Sequence, residues 1–290
     1  WCGRIFSADG VSNDPVRLAA LQAYPVPTRG DQLQSFLAAI NWMRNFLPLY
    51  SQVTQPMYNL LEAEMKGSVK RNAAATKKID LVPHWTAAHA ECWENIRAML
   101  INAVTLAILD PLMTQCVYTD ASEFCWSVVI TQVRDDDLVL PLIEQSHQPL
   151  IFLSGIFKGA SANWSIVDKE AFAILTAVKK CAYLLHTGRA FHLFTDHKNL
   201  VNMFSAAAGP PDIPRHRSDR LTRWMFDLRG CNMIIHHIAG ELNVIADLFS
   251  RFLNPDYAHL LATRVHPEEF ARVAVRVITR GAARQAAIAT

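Results

Sequence analysis

The chain has 290 residues, 51% of them hydrophobic and 19% charged, with a formal net charge of +2. That length accommodates two domains with a sizeable core, and that apolar content excludes a disordered chain. No apolar run approaches the roughly 18 residues of a membrane span, so no membrane partner is expected, and the near balance of charge gives no global sign of nucleic acid. The six cysteines (Cys2, Cys92, Cys116, Cys125, Cys181, Cys231) are scattered without a C-x-x-C pair. They predict core thiols in a reduced, intracellular, non-secreted setting, and zinc is not expected. The chain starts at Trp1 with no basic-then-apolar leader, which reads as an internal piece of something longer.

The first hundred residues read as helical. Asp14-Pro15 predicts a cap and first turn for a short helix to about Ala23, stopped by Pro25 and Pro27. Asp31 is the expected cap of a second helix with Leu33, Phe36, Leu37, Ile40 and Met43 on one face, ending at Pro48. A third helix is expected from Gln52 to Met65, a loop over Lys66–Asp80, and a helix after Thr86 through Trp93, Ile96 and Leu100. Asp110-Pro111 closes this half.

From Gln115 the pattern turns to strands. Cys116–Thr119, Trp126–Val133 and Leu150–Leu153 are apolar, with β-branched and aromatic residues, and Arg134–Asp137 reads as a solvated turn. A long helix is expected over Trp164–Leu185, then a strand at Phe191–Thr195 and a short helix at Lys198–Phe204. Pro210, Pro211 and Pro214 mark a rigid loop, followed by a helix over Asp219–Leu228, a strand over Met233–Ile238 and a helix over Asn243–Phe252. This order predicts an α/β fold with one mixed sheet. Trp126, Trp164 and Trp224 read as core residues. The Ala- and Arg-rich tail over residues 254–290 is expected to be helical or disordered.

Four acidic motifs carry the chemistry: Asp120 in Tyr118–Ser122, Glu170 in Asp168–Ala171, Asp196 in Phe194–His197, and Asp247 in Ile245–Leu248. Each lies at a strand end or on a helix. Two hard cations about 3.5–4 Å apart need such a set of oxygen ligands to cut a phosphodiester. Any one of these acids alone is as well explained by a cap or a turn. Asp168, two residues before Glu170, should face elsewhere and be solvated. His197 reads as structural or substrate-side. Arg215, His216, Arg217, Arg220 and Arg223 form a local basic cluster. It can neutralise phosphates or line a solvated helix face, and charge alone leaves both open.

The motifs Tyr118–Ser122, Asn163–Ile174, FTDHKNL at 194–200, RLTRW at 220–224 and Gly240–Arg251 resemble the RNase H domain of gypsy-type LTR-retrotransposon polyproteins. The stretches SADGVSNDP and YPVPTRGDQLQSFLAAINWMRNFLPLYS look like the thumb and connection region that follows the polymerase palm in the same polyproteins. The resemblance implies a helical thumb/connection region over 1–110 and an RNase H-like domain over 111–253, with a five-stranded mixed sheet flanked by helices. It implies two Mg2+ ions, with Mn2+ as a substitute, on Asp120, Glu170, Asp196 and Asp247, and cleavage of the RNA strand of RNA–DNA hybrids. Arg215, Arg217, Arg220 and Arg223 would contact nucleic acid. The implied partners are the hybrid and the rest of the Pol polyprotein (polymerase and integrase), in a cytoplasmic particle or the nucleus. Polymerase activity is expected only of a longer parent, because the palm motif is absent.

His237 lies ten residues before Asp247. Cellular and retroviral members of the RNase H family place an assisting histidine at a similar offset. His236 and His237 on one strand point to opposite faces, so one is expected to face the site. Two departures stand out: the family has glycine where Ser127 stands and arginine where Gly155 stands. They are expected to perturb packing and keep open a non-catalytic, decaying remnant. A DNA nuclease of the same broad fold is the other alternative.

Overall fold

The computed structural model describes residues 2–48, 50–66, 73–101, 103–140, 145–204 and 215–238. The chain divides into two compact units, Trp1–Thr105 and Leu106–Thr290.

The first unit opens with a hairpin that the sequence reading passed over. Strands β1 (Arg4–Ser7) and β2 (Gly10–Asn13) pair antiparallel, with Ser7 opposite Gly10. Gly10 has φ 130°, a conformation that glycine adopts without strain, and the Asp9-Gly10 pair is a recognised hairpin signal. Helix α1 (Pro15–Gln22) starts as expected, with an Asp14 carboxylate oxygen accepting from the Val16 amide at 2.9 Å. Helix α2 (Gly30–Asn41) corrects the cap assignment. Asp31 sits inside the first turn and pairs with Arg29 at 3.0 Å, while Gln32 Oε1 accepts from the Thr28 and Arg29 amides. Helix α3 spans Tyr50–Glu64, two residues earlier than expected, and one turn, α4 (Ala73–Thr76), falls within the expected loop. Helix α5 covers Ala87–Ile101. Leu33, Phe36, Leu37, Ile40, Met57, Trp93 and Ile96 form the core, with Phe36 and Trp93 ring centroids 4.4 Å apart.

The second unit is built on five strands: β3 (Thr114–Ala121), β4 (Cys125–Val133), β5 (Gln148–Ile156), β6 (Phe191–Thr195) and β7 (Met233–His237). Their order is β5-β4-β3-β6-β7. β3, β4 and β5 pair antiparallel, while β6 runs parallel to β3 and β7 parallel to β6. This is the expected mixed sheet. The expected long helix breaks at Cys181 into α6 (Ile166–Lys180) and α7 (Ala182–Leu185). Helices α8 (Lys198–Phe204) and α9 (Arg215–Arg229) follow. Ala171, Ile174, Leu175 and Val178 of α6 share a buried cluster with Val117, Val128, Ile130 and Leu193 of the sheet.

Residues 135–137 are more than a solvated turn. They open a short 3-10 helix, and Asp135 accepts from Thr114 Oγ1 at 2.7 Å and pairs with Arg189. These two contacts hold its carboxyl below the usual range. The six cysteines are free thiols. Among the described residues, no helix is long and apolar enough to cross a membrane. The expected proline loop, the helix Asn243–Phe252 and the tail from residue 254 lie outside the described residues.

Candidate metal centre

Strand order brings the acids together. Tyr118 of β3 lies opposite Phe194 of the parallel strand β6. Two residues on, Asp120 and Asp196 emerge at the same end of the sheet. Glu170 reaches this end from the second turn of α6, and one of its carboxylate oxygens accepts from the Ala121 amide at 3.0 Å. Ligand oxygens of Asp120, Glu170 and Asp196 all lie within 4.8 Å of one another. Asp120 is 2% exposed and Glu170 4%. Three like charges drawn together this closely, two of them out of water, repel unless a cation neutralises them. Carboxylate oxygens at this spacing suit a hard divalent ion, so the residues present fit one. The fourth expected ligand, Asp247, lies outside the described residues.

Around the acids sits a buried polar frame that the sequence reading missed. Asp168 is buried, not solvated. Ser165 Oγ donates to it at 2.8 Å and accepts from its amide at 3.3 Å, and Arg220 approaches it at 3.7 Å. The Ser165-x-x-Asp168 spacing is a capping signature that folds the N3 side chain back onto the helix start. Lys169 is buried too. Its ammonium donates to the Glu123 carbonyl at 2.6 Å and lies 5.3 Å from the centre of the Phe157 ring. Consecutive residues Lys169 and Glu170 thus tie α6 to the β3–β4 turn and to the end of β3.

The two departures from the resembled pattern are accommodated. Ser127 is fully buried opposite Asp120 on one side and Ser154 on the other. Gly155 lies under the buried Trp126 ring, where a Cβ would come within 2.4 Å of the indole. Tryptophan at 126 and glycine at 155 therefore fit one another.

The histidines separate as strand alternation requires. His237 Nε2 lies 3.2 Å from the Asp196 carbonyl. His236 stacks on Phe194, 5.0 Å between ring centroids, beside His192. Burial, then the neighbouring His192, lowers the pKa of His236; burial also lowers that of His192. His197 donates its amide to Thr195 Oγ1 at 3.2 Å.

Of the basic cluster, Arg220 is engaged with Asp168 and lies 4.5 Å from the centre of the Trp164 ring. Arg223 Nε donates to the Asp219 carbonyl at 3.1 Å. Arg215 and Arg217 fall on α9, but their side chains lie outside the described residues. Trp126 is buried as expected, while Trp164 and Trp224 are partly buried and pack 5.6 Å apart between ring centroids.

Residues 110–230 match the RNase H-like domain found in reverse transcriptase. The Transposon Tf2-3 polyprotein of Schizosaccharomyces pombe is 29% identical over 229 residues, covering 79% of this chain. The chain spans 15% of that relative's length. A solved foamy viral protease-reverse transcriptase in complex with dsDNA superposes with TM-score 0.61 and 17% identity, over 83% of this chain and 44% of that one. The same viral protein in complex with an RNA/DNA hybrid gives TM-score 0.60 and 18% identity, over 83% of this chain and 29% of that one. These two likenesses show the fold.

Proposed function

We propose that this chain, which belongs to the Pol polyproteins of LTR retrotransposons, cuts the RNA strand of RNA–DNA hybrids with divalent ions held by Asp120, Glu170 and Asp196. Asp247 is the proposed fourth ligand. The observation that carries this reading is the convergence of three carboxylates, two of them buried, at one end of the sheet. Two bound Mg2+ ions, or Mn2+ in their place, would activate the attacking water and stabilise the leaving oxygen. The chain's own part is geometric and electrostatic. Glu170 is fixed by the Ala121 amide, and burial keeps competing water from the Asp120 and Glu170 carboxylates. His237, beside the Asp196 backbone, is proposed to assist proton transfer at the departing oxygen. Arg215, Arg217 and Arg223 are proposed phosphate contacts; Arg220 is shared with Asp168.

Residues 1–110 are proposed to hold substrate as a thumb/connection region, and 111–253 to carry the chemistry. The polymerase and integrase of a longer Pol polyprotein are the proposed partners, and free thiols agree with a reduced intracellular setting. The mutual fit of Trp126 and Gly155 weighs against the decaying-remnant reading. The 2′-hydroxyl separates RNA from DNA at such a site. The test is therefore a cleavage assay with each strand of a hybrid labelled in turn, beside double-stranded DNA. Cleavage confined to the RNA strand of the hybrid is expected. Equal cleavage of double-stranded DNA would replace this reading with a DNA nuclease. Residues 111–253 alone should cut the same strand but bind hybrid more weakly. A filter-binding measurement giving unchanged affinity would remove the substrate-holding role from 1–110.

A further inference from the structure

We propose that Ser127 is a positioning residue for Asp120, its hydroxyl orienting the carboxylate before an ion arrives; this rests on the metal reading above. The strand register sets the geometry. Asp120 of β3 lies directly opposite Ser127 of β4, which in turn lies directly opposite Ser154 of β5. Residues opposite one another in antiparallel strands share a face, with Cβ atoms about 4.5–5.5 Å apart. A serine and an aspartate at that spacing can join by one hydrogen bond. The three residues therefore form a polar row across the sheet, leading away from the carboxylate cluster. All three are buried, and Ser127 is 0% exposed.

Burial decides what the hydroxyl does. A buried polar group needs a partner, because leaving it without one costs on the order of 1–3 kcal/mol. A hydroxyl supplies one donor and two acceptor positions. A carboxylate accepts only, so Ser127 donates to Asp120. Its acceptor side is then left for Ser154, whose own hydroxyl can donate across the next strand pair. Donors along such a row reinforce one another at low local dielectric. The neighbours on β4, Trp126 and Val128, point to the opposite face. Ser127 is also shut off from solvent, so it neither meets a nucleic acid directly nor blocks one. Its effect must pass through Asp120. Partners that orient a ligating carboxylate change metal affinity by roughly 10–100-fold when removed.

The test is calorimetric titration of Mn2+ into the full chain, without nucleic acid, for wild type, Ser127→Ala, Ser127→Gly and Asp120→Asn. The melting temperature of each metal-free protein is measured alongside. The expected result is binding about 10-fold weaker in both Ser127 variants, with metal-free melting within a few degrees of wild type. A merely structural serine would lower the melting temperature and leave Mn2+ affinity in place. Affinity within about twofold of wild type in Ser127→Ala, while Asp120→Asn loses binding, overturns this inference alone. Wild type that binds no Mn2+, or Asp120→Asn that binds as well as wild type, overturns the metal reading and this inference with it.

Discussion

Among the described residues, the helical unit buries only neutral polar groups (Asn13, Gln52, Thr54 and Thr76), whereas the sheet unit buries Asp120, Asp168, Lys169 and Glu170. Both units have a continuous apolar core. Only the second therefore carries the cost of dehydrating charges, several kcal/mol per ion before any pairing. Those charges are not scattered. Asp168 and Lys169 bind the start of α6 to Arg220 and to the β3–β4 turn, and Glu170 and Asp120 meet Asp196 at the sheet end. A core that needs only stability does without such groups. The sheet end that gathers them is where the proposed metal site falls.

This contrast breaks first at Asp120. Asp120→Asn keeps the shape and removes a buried charge, so cleavage of a labelled hybrid should fall by at least about 10³-fold, with circular dichroism unchanged. Full activity would make the buried carboxylates structural. His237→Ala should slow turnover by no more than roughly 10²–10⁴-fold. Single-turnover rates check this, and the larger loss falling on His236→Ala instead would exchange the roles of the two histidines.

The sheet also buries a neutral imidazole, which sharpens the contrast through pH. His147 lies between Thr131 Oγ1 (2.8 Å) and the Tyr118 hydroxyl (3.3 Å). Burial pushes its pKa down from 6.5 to about 4. A base whose folded pKa is depressed binds more protons when unfolded. Its stabilisation is thus complete above pH 6.5 and is lost as pH falls toward 4. About 3 kcal/mol should disappear over that window, and urea titrations of wild type and His147→Gln should converge at the acid end. The smallest effect belongs to Gly155→Ala. Its new Cβ meets the Trp126 ring, and overpacking of this kind costs about 1–3 kcal/mol. A melting temperature equal to wild type would remove the packing account of that glycine.

Much of this architecture was legible before the structure. The five strands follow from their apolar runs, and the acidic motifs from their residues and the resemblance they carry. What local pattern could not supply was adjacency. Asp120 and Asp196 meet because β6 pairs parallel with β3 across the 69 intervening residues 122–190, and no periodicity encodes that pairing. Asp168 was misjudged for a different reason. Helical spacing places it off the Glu170 face, but the cap contact with Ser165 and the pairing with Arg220 on α9 bury it all the same. The β1–β2 hairpin was missed because four-residue strands leave no alternation to read, although Asp9-Gly10 marked the turn. His237 was preferred over His236 for its ten-residue offset from Asp247, while strand alternation said only that the two point to opposite faces; His237 Nε2 lies 3.2 Å from the Asp196 carbonyl.

Asp120, Glu170 and Asp196 are proposed to act as one metal site. The most direct test is a Mg2+ titration followed by thermal unfolding of wild type, Asp120→Asn, Glu170→Gln and Asp196→Asn. Metal should raise the melting temperature of wild type, and each single substitution should remove most of that rise. The metal-free variants should melt no lower than metal-free wild type, since each relieves like-charge repulsion. A wild type indifferent to Mg2+, or three variants that all keep the full metal-dependent rise, would contradict the proposal.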